Sequence, residues 1–399
     1  MARRPRALPL GLLLALVAAL ACAPARAPTS GQAAPAGPPA RPADGPAPAG
    51  AAAPPGSAGQ AASPAAGAAL APAPPPLSPA VPVKVASVGL VGEAGIFIAL
   101  GKGYFKEEGL DVQLVEVRQS TDQVALLLAG DLDYGHSPPA AILYNAAARN
   151  VGLKVVANDS LIPDTPSMSS GFAIRTGLLD SGAVKSPGDL AGRTIGLPGA
   201  ANTTEVYLDR LMRLGGLTFD DATTTVVPGF PDMVAALKNG AVDGAFLVEP
   251  FITVAEAQGA ARLAYPISQV YPGASAYALL MGPKFGQEQR ETANRFMVAY
   301  LRGQRDFYRA FVDKTDVAGQ EPILGFLREY TAFKDVKDTP VLLRAIGNTV
   351  DPNNDLRPAI WREAHDFFVR RGSVPTPVDV SQLLDPAPTD YALARLGRY

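Results

Sequence analysis

The chain has 399 residues, 35 of them Lys or Arg against 37 Asp or Glu, for a formal net charge of −2. That balance supplies no electrostatic reason to expect a nucleic-acid partner, and a single cysteine excludes both a disulfide framework and a cysteine metal cluster. Length suggests two or three domains, counted after any segment that does not fold is set aside.

The N-terminal stretch is such a segment. Residues 1–6 carry three arginines, residues 8–20 are a short apolar run, and small or aliphatic residues precede Cys22. This reads as a secretory signal over residues 1–21, too short to span a membrane in the mature protein. Ala19-Leu20-Ala21-Cys22 resembles the bacterial lipoprotein box, which implies that Cys22 is acylated. Secretion across the cytoplasmic membrane and lipid anchoring to its outer face, or a periplasmic location, are therefore expected. Of the 60 residues from Ala23 to Pro82, 47 are Ala, Pro or Gly. Such a sequence buries too little apolar surface to offset its ordering entropy, so residues 22–82 are expected to form a disordered Ala/Pro-rich tether.

Folded sequence is expected from residue 83. A strand over 83–88 leads into a loop with Gly89, Gly92, Glu93 and Gly95, whose glycines lack the G-x-G-x-x-G spacing of a dinucleotide fingerprint, and no cofactor is expected. A helix through Phe97 and Leu100 comes after it, then a strand over 111–117. Ser120-Thr121-Asp122-Gln123 is a capping box that opens a helix with Val124, Leu127 and Leu128 on one face. After 133–135 the chain turns at His136-Ser137-Pro138-Pro139 into a helix over 140–149. A strand over 153–157 then carries Asn158 and Asp159 at its end.

Residues 170–175 read as a strand crossing into a second lobe. There a strand over 193–197, a turn at Gly199-Ala200-Ala201 and a helix capped by Asn202 are expected. The second lobe then repeats a stretch of the first: residues 124–133, VALLLAGDLD, return as residues 234–243, VAALKNGAVD, with Val-Ala, Leu, Gly and Asp in the same order. Each copy reads as a strand, a helix ended by a glycine and another strand, the unit of a parallel α/β sheet. Two copies predict two similar lobes. Ligands of open α/β sheets sit beyond the strand ends, so facing lobes make a cleft. Strands over 245–248 and 263–267 complete the second lobe, and residues 275–281 cross back. Beyond residue 283 helices are expected over 288–311, 323–330, 341–346 and 356–370, layered on the first lobe. The domain limits are thus 83–171, 172–273 and 274–399.

The run Gly101-Lys102-Gly103-Tyr104-Phe105-Lys106-Glu107-Glu108-Gly109-Leu110-Asp111-Val112 resembles the signature of solute-binding proteins that deliver nitrate, sulfonates, taurine or thiamine pyrimidine precursors to ABC importers. The likeness continues through residues 129–133, 189–196, 237–243 and Glu249-Pro250. It implies the two-lobed type II periplasmic binding protein fold, a small-molecule solute held between the lobes, an ABC importer permease as partner, and a monomer. The family's ligand-facing loops fall on residues 89–96, 119–121, 136–138, 158–159 and 199–204 and on the Glu249 turn. The candidate ligand contacts are therefore Glu93, Ser120, Thr121, His136, Ser137, Asn158, Asp159, Asn202, Thr203, Thr204 and Glu249.

The helix starts after Ser120 and Asn202 offer free N–H donors to a ligand oxygen. Glu93, Asp159 and Glu249 would repel a sulfonate or nitrate, and no arginine stands in these loops to clamp an anion. A pyrimidine-like or other heteroaromatic solute fits them better than a sulfonate. A sensor domain uncoupled from transport is the alternative. A distant eukaryotic branch of the same fold makes the thiamine pyrimidine with a cysteine-rich iron site. With no cysteine after Cys22 and only His136 and His365, this chain is expected not to be an enzyme and to hold no metal.

Overall fold

The computed structural model describes residues 73–117, 122–331, 333–334, 339–347 and 350–399. The expected signal, Cys22, most of the expected tether, Ser120 and Thr121 lie outside the described residues. All that is described belongs to one unit, Ala65–Tyr399.

Its strands, in chain order, are β1 (Val81–Ser87), β2 (Leu110–Glu116), β3 (Tyr134–Ser137), β4 (Lys154–Leu161), β5 (Ser170–Arg175), β6 (Thr194–Leu197), β7 (Thr223–Val226), β8 (Gly244–Val248), β9 (Ala261–Pro266) and β10 (Ser275–Met281). They form two five-stranded sheets, in the orders β2-β1-β3-β10-β4 and β7-β6-β8-β5-β9. The two orders are the same pattern. In each, β1 or β6 pairs in parallel with both neighbours, and a crossing strand, β10 or β5, is inserted antiparallel before the last strand.

The repeat explains this likeness residue by residue. Gly130 and Gly240 end their helices with φ of 80° and 78°, a conformation that costs a residue with a Cβ. Three residues on, Asp133 exchanges bonds with β1: its N–H donates to Lys84 O at 2.9 Å, and its Oδ2 accepts the Lys84 N–H at 2.8 Å. Asp243 does the same to β6, through Thr194 O at 2.8 Å and the Thr194 N–H at 3.1 Å. The Asp133 and Asp243 carbonyls then accept the N–H of Gly282 and Arg175, at the ends of the two crossing strands. One aspartate in each lobe thus joins the first, third and crossing strands.

Three expectations are corrected. His136 and Ser137 do not form a turn but end β3, and Asn158 and Asp159 lie inside β4 rather than beyond it. Both strands run on through polar residues because those side chains find partners in the interior. At the other end of the fold, β1 begins at Val81, and Leu77 already donates its N–H to Glu108 O at 3.3 Å. The close pass is possible because Gly109 has no side chain: a Cβ there would lie 2.2 Å from Leu77 N.

Among the described residues, no strand comes after β10. The Arg290–Phe307 helix packs on Ala94–Gly101 so closely that a Cβ on Gly303 would lie 2.2 Å from Gly95 O. Its Phe296 stacks on Tyr134 at 3.9 Å and on Phe105 of the signature at 4.9 Å. The Ala387–Leu396 helix, not foreseen, packs on the Arg290–Phe307 helix and on β4, where Thr389 Oγ1 donates to Val156 O at 2.9 Å. The Pro358–Arg370 helix is not confined to the first lobe. Its buried Trp361 accepts the Tyr144 hydroxyl at its carbonyl, while Glu363 holds Arg210 of the second lobe at 2.6–2.9 Å. Side chains of both lobes and of this helix share one hydrophobic core.

Candidate ligand-binding cleft

Between the two sheets lies a cavity of about 290 Å³. Its first-lobe wall is the segment after β1, Val88 and Leu90 to Gly92, with Pro138 beyond β3, Ile162 beyond β4, and Ala276 and Tyr277 of β10. The second-lobe wall comes from Pro198 and Gly199 after β6, Asn202 to Thr204 and Tyr207 of the next helix, Gly229 and Phe230 after β7, and Phe246, Val248, Glu249 and Phe251 around the end of β8. Ala345, from the Thr339–Ala345 helix, completes it. These are strand-end positions, where the topology of open α/β sheets places ligands.

The chemistry of the walls is mainly apolar and aromatic. Phe230 stacks on Phe251 at 5.4 Å, and Phe246 packs against Tyr207 at 5.9 Å and Phe172 at 5.7 Å. Among the described residues lining the cavity there is no Lys, Arg or His, and the one carboxylate is Glu249.

Of the sequence-derived candidates, Asn202, Thr203, Thr204 and Glu249 line the cavity. Asn202 caps the Thr203–Leu214 helix as expected: its Oδ1 accepts the Thr204 N–H at 2.9 Å and the Thr204 hydroxyl at 2.6 Å. Thr203 Oγ1 donates to Pro139 O at 3.0 Å, and the Ala141 N–H donates to Ala201 O at 2.8 Å, so the lobes touch here through hydrogen bonds. Glu249 accepts from Thr253 N at 3.1 Å and Thr253 Oγ1 at 3.0 Å, and Arg344 Nε lies 3.1 Å from it. Burial pushes its pKa above the usual carboxylate value, against the opposing pull of Thr253 and Arg344.

Glu93, His136, Ser137, Asn158 and Asp159 are not among the lining residues; all five are buried behind the first-lobe wall. Asn158 Nδ2 donates to Asp355 O at 2.7 Å and Ser137 Oγ to Pro138 O at 2.9 Å. His136 Nδ1 pairs with Asp159 Oδ2, and Asp159 Oδ1 also accepts the Tyr300 hydroxyl at 2.5 Å. Glu93 accepts from Ser87 and Val88. An interior carboxylate needs donors around it, and these found theirs within the protein. The pKa of Glu93 is raised by burial, with His136 the largest opposing influence. For His136 burial works the other way, but it is outweighed by Asp159, in contact with the ring, and by Glu93, and the pKa is raised.

Sequence reasoning passed over Phe230, Phe251, Tyr207, Phe246 and Tyr277 because it weighed polar residues in the strand-end loops. A signal was present for two of them. Phe230 and Phe251 stand at the starts of helices directly after β7 and β8, positions that face a cleft in this topology.

The NMT1/THI5-like family model matches residues 92–310. The 4-amino-5-hydroxymethyl-2-methylpyrimidine phosphate synthase of Aspergillus parasiticus is 29% identical over 249 residues, 62% of this chain and 69% of that protein. The formylaminopyrimidine-binding protein of Halalkalibacterium halodurans is 26% identical over 227 residues, 56% of this chain and 63% of that protein. Synthases of Saccharomyces cerevisiae match over a shorter stretch, 34% of their length. Among solved structures, the ligand-binding component of an ABC-type import system from Staphylococcus aureus superposes with a TM-score of 0.63 at 14% identity, covering 78% of this chain and 99% of that one.

The fold is accordingly that of the two-lobed type II periplasmic binding proteins. The expectation that the chain is not an enzyme is overturned: relatives with this sequence likeness are named as synthases, so the lack of cysteines after Cys22 does not exclude catalysis. The matched region, residues 92–310 of 399, is more than half of the sequence, and the chain belongs to the NMT1/THI5-like family.

Proposed function

We propose that the chain captures a small heteroaromatic solute, pyrimidine-like in size and polarity, between its lobes and delivers it to the permease of an ABC importer on the outer side of the cytoplasmic membrane, where acylated Cys22 anchors it. The observation that carries this reading is the wall chemistry: aromatic and aliphatic side chains, a few hydroxyl and amide groups, and no cation among the described lining residues. A sulfonate or nitrate buried there would lack a counter-charge, whereas a neutral ring finds faces to stack on and dipoles at its rim. The binding of a formylaminopyrimidine by one relative supports the same class.

A thermal-shift and calorimetric comparison tests it. 4-Amino-5-hydroxymethyl-2-methylpyrimidine at a hundred times its dissociation constant should stabilise the protein by about 2.7 kcal/mol, with nitrate and alkanesulfonates inert; binding of the anions alone would overturn the reading. For the anchor, Cys22→Ser should move the protein from the membrane fraction to the soluble one. The names of the fungal relatives favour a second reading, a catalytic role in forming such a pyrimidine. Mass spectrometry separates the two, because capture returns the solute unchanged while synthesis releases a pyrimidine that was not added.

A further inference from the structure

On the second-lobe wall the 12-residue Thr203–Leu214 helix opens onto the cavity through Asn202, Thr203 and Thr204. A helix start carries free N–H groups and positive potential, so this is where the wall could meet an anion. The donors there are already spent. Asn202 Oδ1 accepts the Thr204 N–H at 2.9 Å and the Thr204 hydroxyl at 2.6 Å, and the Glu205 N–H donates to Asn202 O at 3.0 Å. Thr203 Oγ1 donates to Pro139 O of the other lobe at 3.0 Å. One residue before the cap, the Ala201 N–H donates to Glu205 Oε1 at 2.8 Å.

Glu205 therefore folds back over the turn that leads into its own helix and sets a partly buried carboxylate beside the cavity wall. Arg371, a cation whose charge acts on it, is itself held by Asp220 at 2.6 Å and lies 4.5 Å over the Phe219 ring. Asn202 is 7% exposed and lines the cavity, and with its Oδ1 engaged, Nδ2 is the donor it can offer there. Gly199 leaves room for that group: a Cβ at Gly199 would lie 2.8 Å from Asn202 Nδ2. A phosphate or sulfonate needs several donors and a charge to answer its own. Here it would meet one neutral amide group and a carboxylate. A hydroxyl or a ring nitrogen asks for one donor and brings no charge.

We propose that Glu205 is a specificity-determining residue that shuts anions out of the cavity, so that the site takes the free alcohol of a pyrimidine and refuses its phosphate ester. Its carboxylate acts twice. It occupies the Ala201 N–H, which an anion would otherwise take, and it places a negative charge where the helix start would favour one from the ligand. The choice of alcohol over ester rests on the solute reading above; the exclusion of anions does not.

Calorimetric titration of the full chain with inorganic phosphate, at an ionic strength held constant with chloride, tests the exclusion. Glu205→Gln keeps an acceptor for the Ala201 N–H and removes the charge, while Glu205→Ala removes both. Each should bind phosphate at least about tenfold more tightly than the parent, the worth of one charge-assisted bond. Glu205→Asp, which keeps the charge, should exclude phosphate as the parent does. No gain in Glu205→Gln and Glu205→Ala, or the same gain in Glu205→Asp, overturns the proposal. Should Glu205→Ala fail to fold, Glu205→Gln and Glu205→Asp decide the matter. With 4-amino-5-hydroxymethyl-2-methylpyrimidine and its phosphate ester, the preference for the alcohol should fall at least about tenfold in Glu205→Gln; an unchanged preference overturns the choice of alcohol over ester. If inorganic phosphate behaves as expected and neither pyrimidine binds any of the proteins, the solute reading fails and the exclusion stands.

Discussion

Asp133 and Asp243 hold the same place in the two copies of the repeat and make the same backbone exchange with the first strand of their lobe. Asp243 also meets Arg175 at 3.2 Å. Removing it leaves the Thr194 N–H without its side-chain partner, so Asp243→Ala should destabilise the fold by about 1–3 kcal/mol in urea titrations, with Asp133→Ala in the same range. A loss below about 0.5 kcal/mol would mean the strands need no such tie. The pH dependence of stability lives at this scale too. The pKa of His136 is raised in the fold, so its stabilisation is fully present below the unfolded value near 6.5 and fades as pH rises through the folded one. Stability should therefore fall above neutrality in the parent and fall less in His136→Gln; identical profiles would show that His136 is not the linked group. The Asn202 cap was readable because capping is local chemistry. The partners of His136 and Asp159 were not, since they lie on other elements.

At the scale of elements, the Thr339–Ala345 helix stands out because it belongs to the C-terminal part yet reaches the second lobe. Its Arg344 lies 3.1 Å from Glu249 and 3.7 Å from Glu256, beside Ala345 in the cavity lining. The arginine side chain is 37% exposed and the Glu249 carboxylate is covered, so the pair lies at the boundary between cavity and solvent. Arg344→Ala should speed dissociation of 4-amino-5-hydroxymethyl-2-methylpyrimidine several-fold in stopped-flow traces and change folding stability by no more than about 1 kcal/mol. An unchanged off-rate would place the exit elsewhere. The element also shows what sequence reading left out. A helix near residues 341–346 was expected from its apolar pattern, but nothing in the pattern says which lobe its arginine meets.

For the whole molecule, the consequence of the shared core is cooperativity. Trp361 is fully buried, Tyr144 of the first lobe donates to its carbonyl, and two residues on Glu363 grips Arg210, which lies 3.5 Å over the Tyr271 ring. Trp361→Ala should cost about 3–5 kcal/mol and lower the stability of both lobes together. Calorimetry of the parent and the variant should each show one transition; two separated transitions would mean the lobes fold independently. The sequence by itself determined the two-lobed α/β plan, since a repeat of helix, left-handed glycine, strand and aspartate can bury its apolar faces in few ways. It determined the strand-end placement of the cleft for the same reason. Only the tertiary structure decided which polar residues face that cleft. Burial turned His136 and Asp159 into each other's partners behind its wall, left Glu93 to the donors of Ser87 and Val88, and brought forward aromatic rings from the starts of two helices, because side-chain direction and charge pairing are set by neighbours that sequence distance does not reveal.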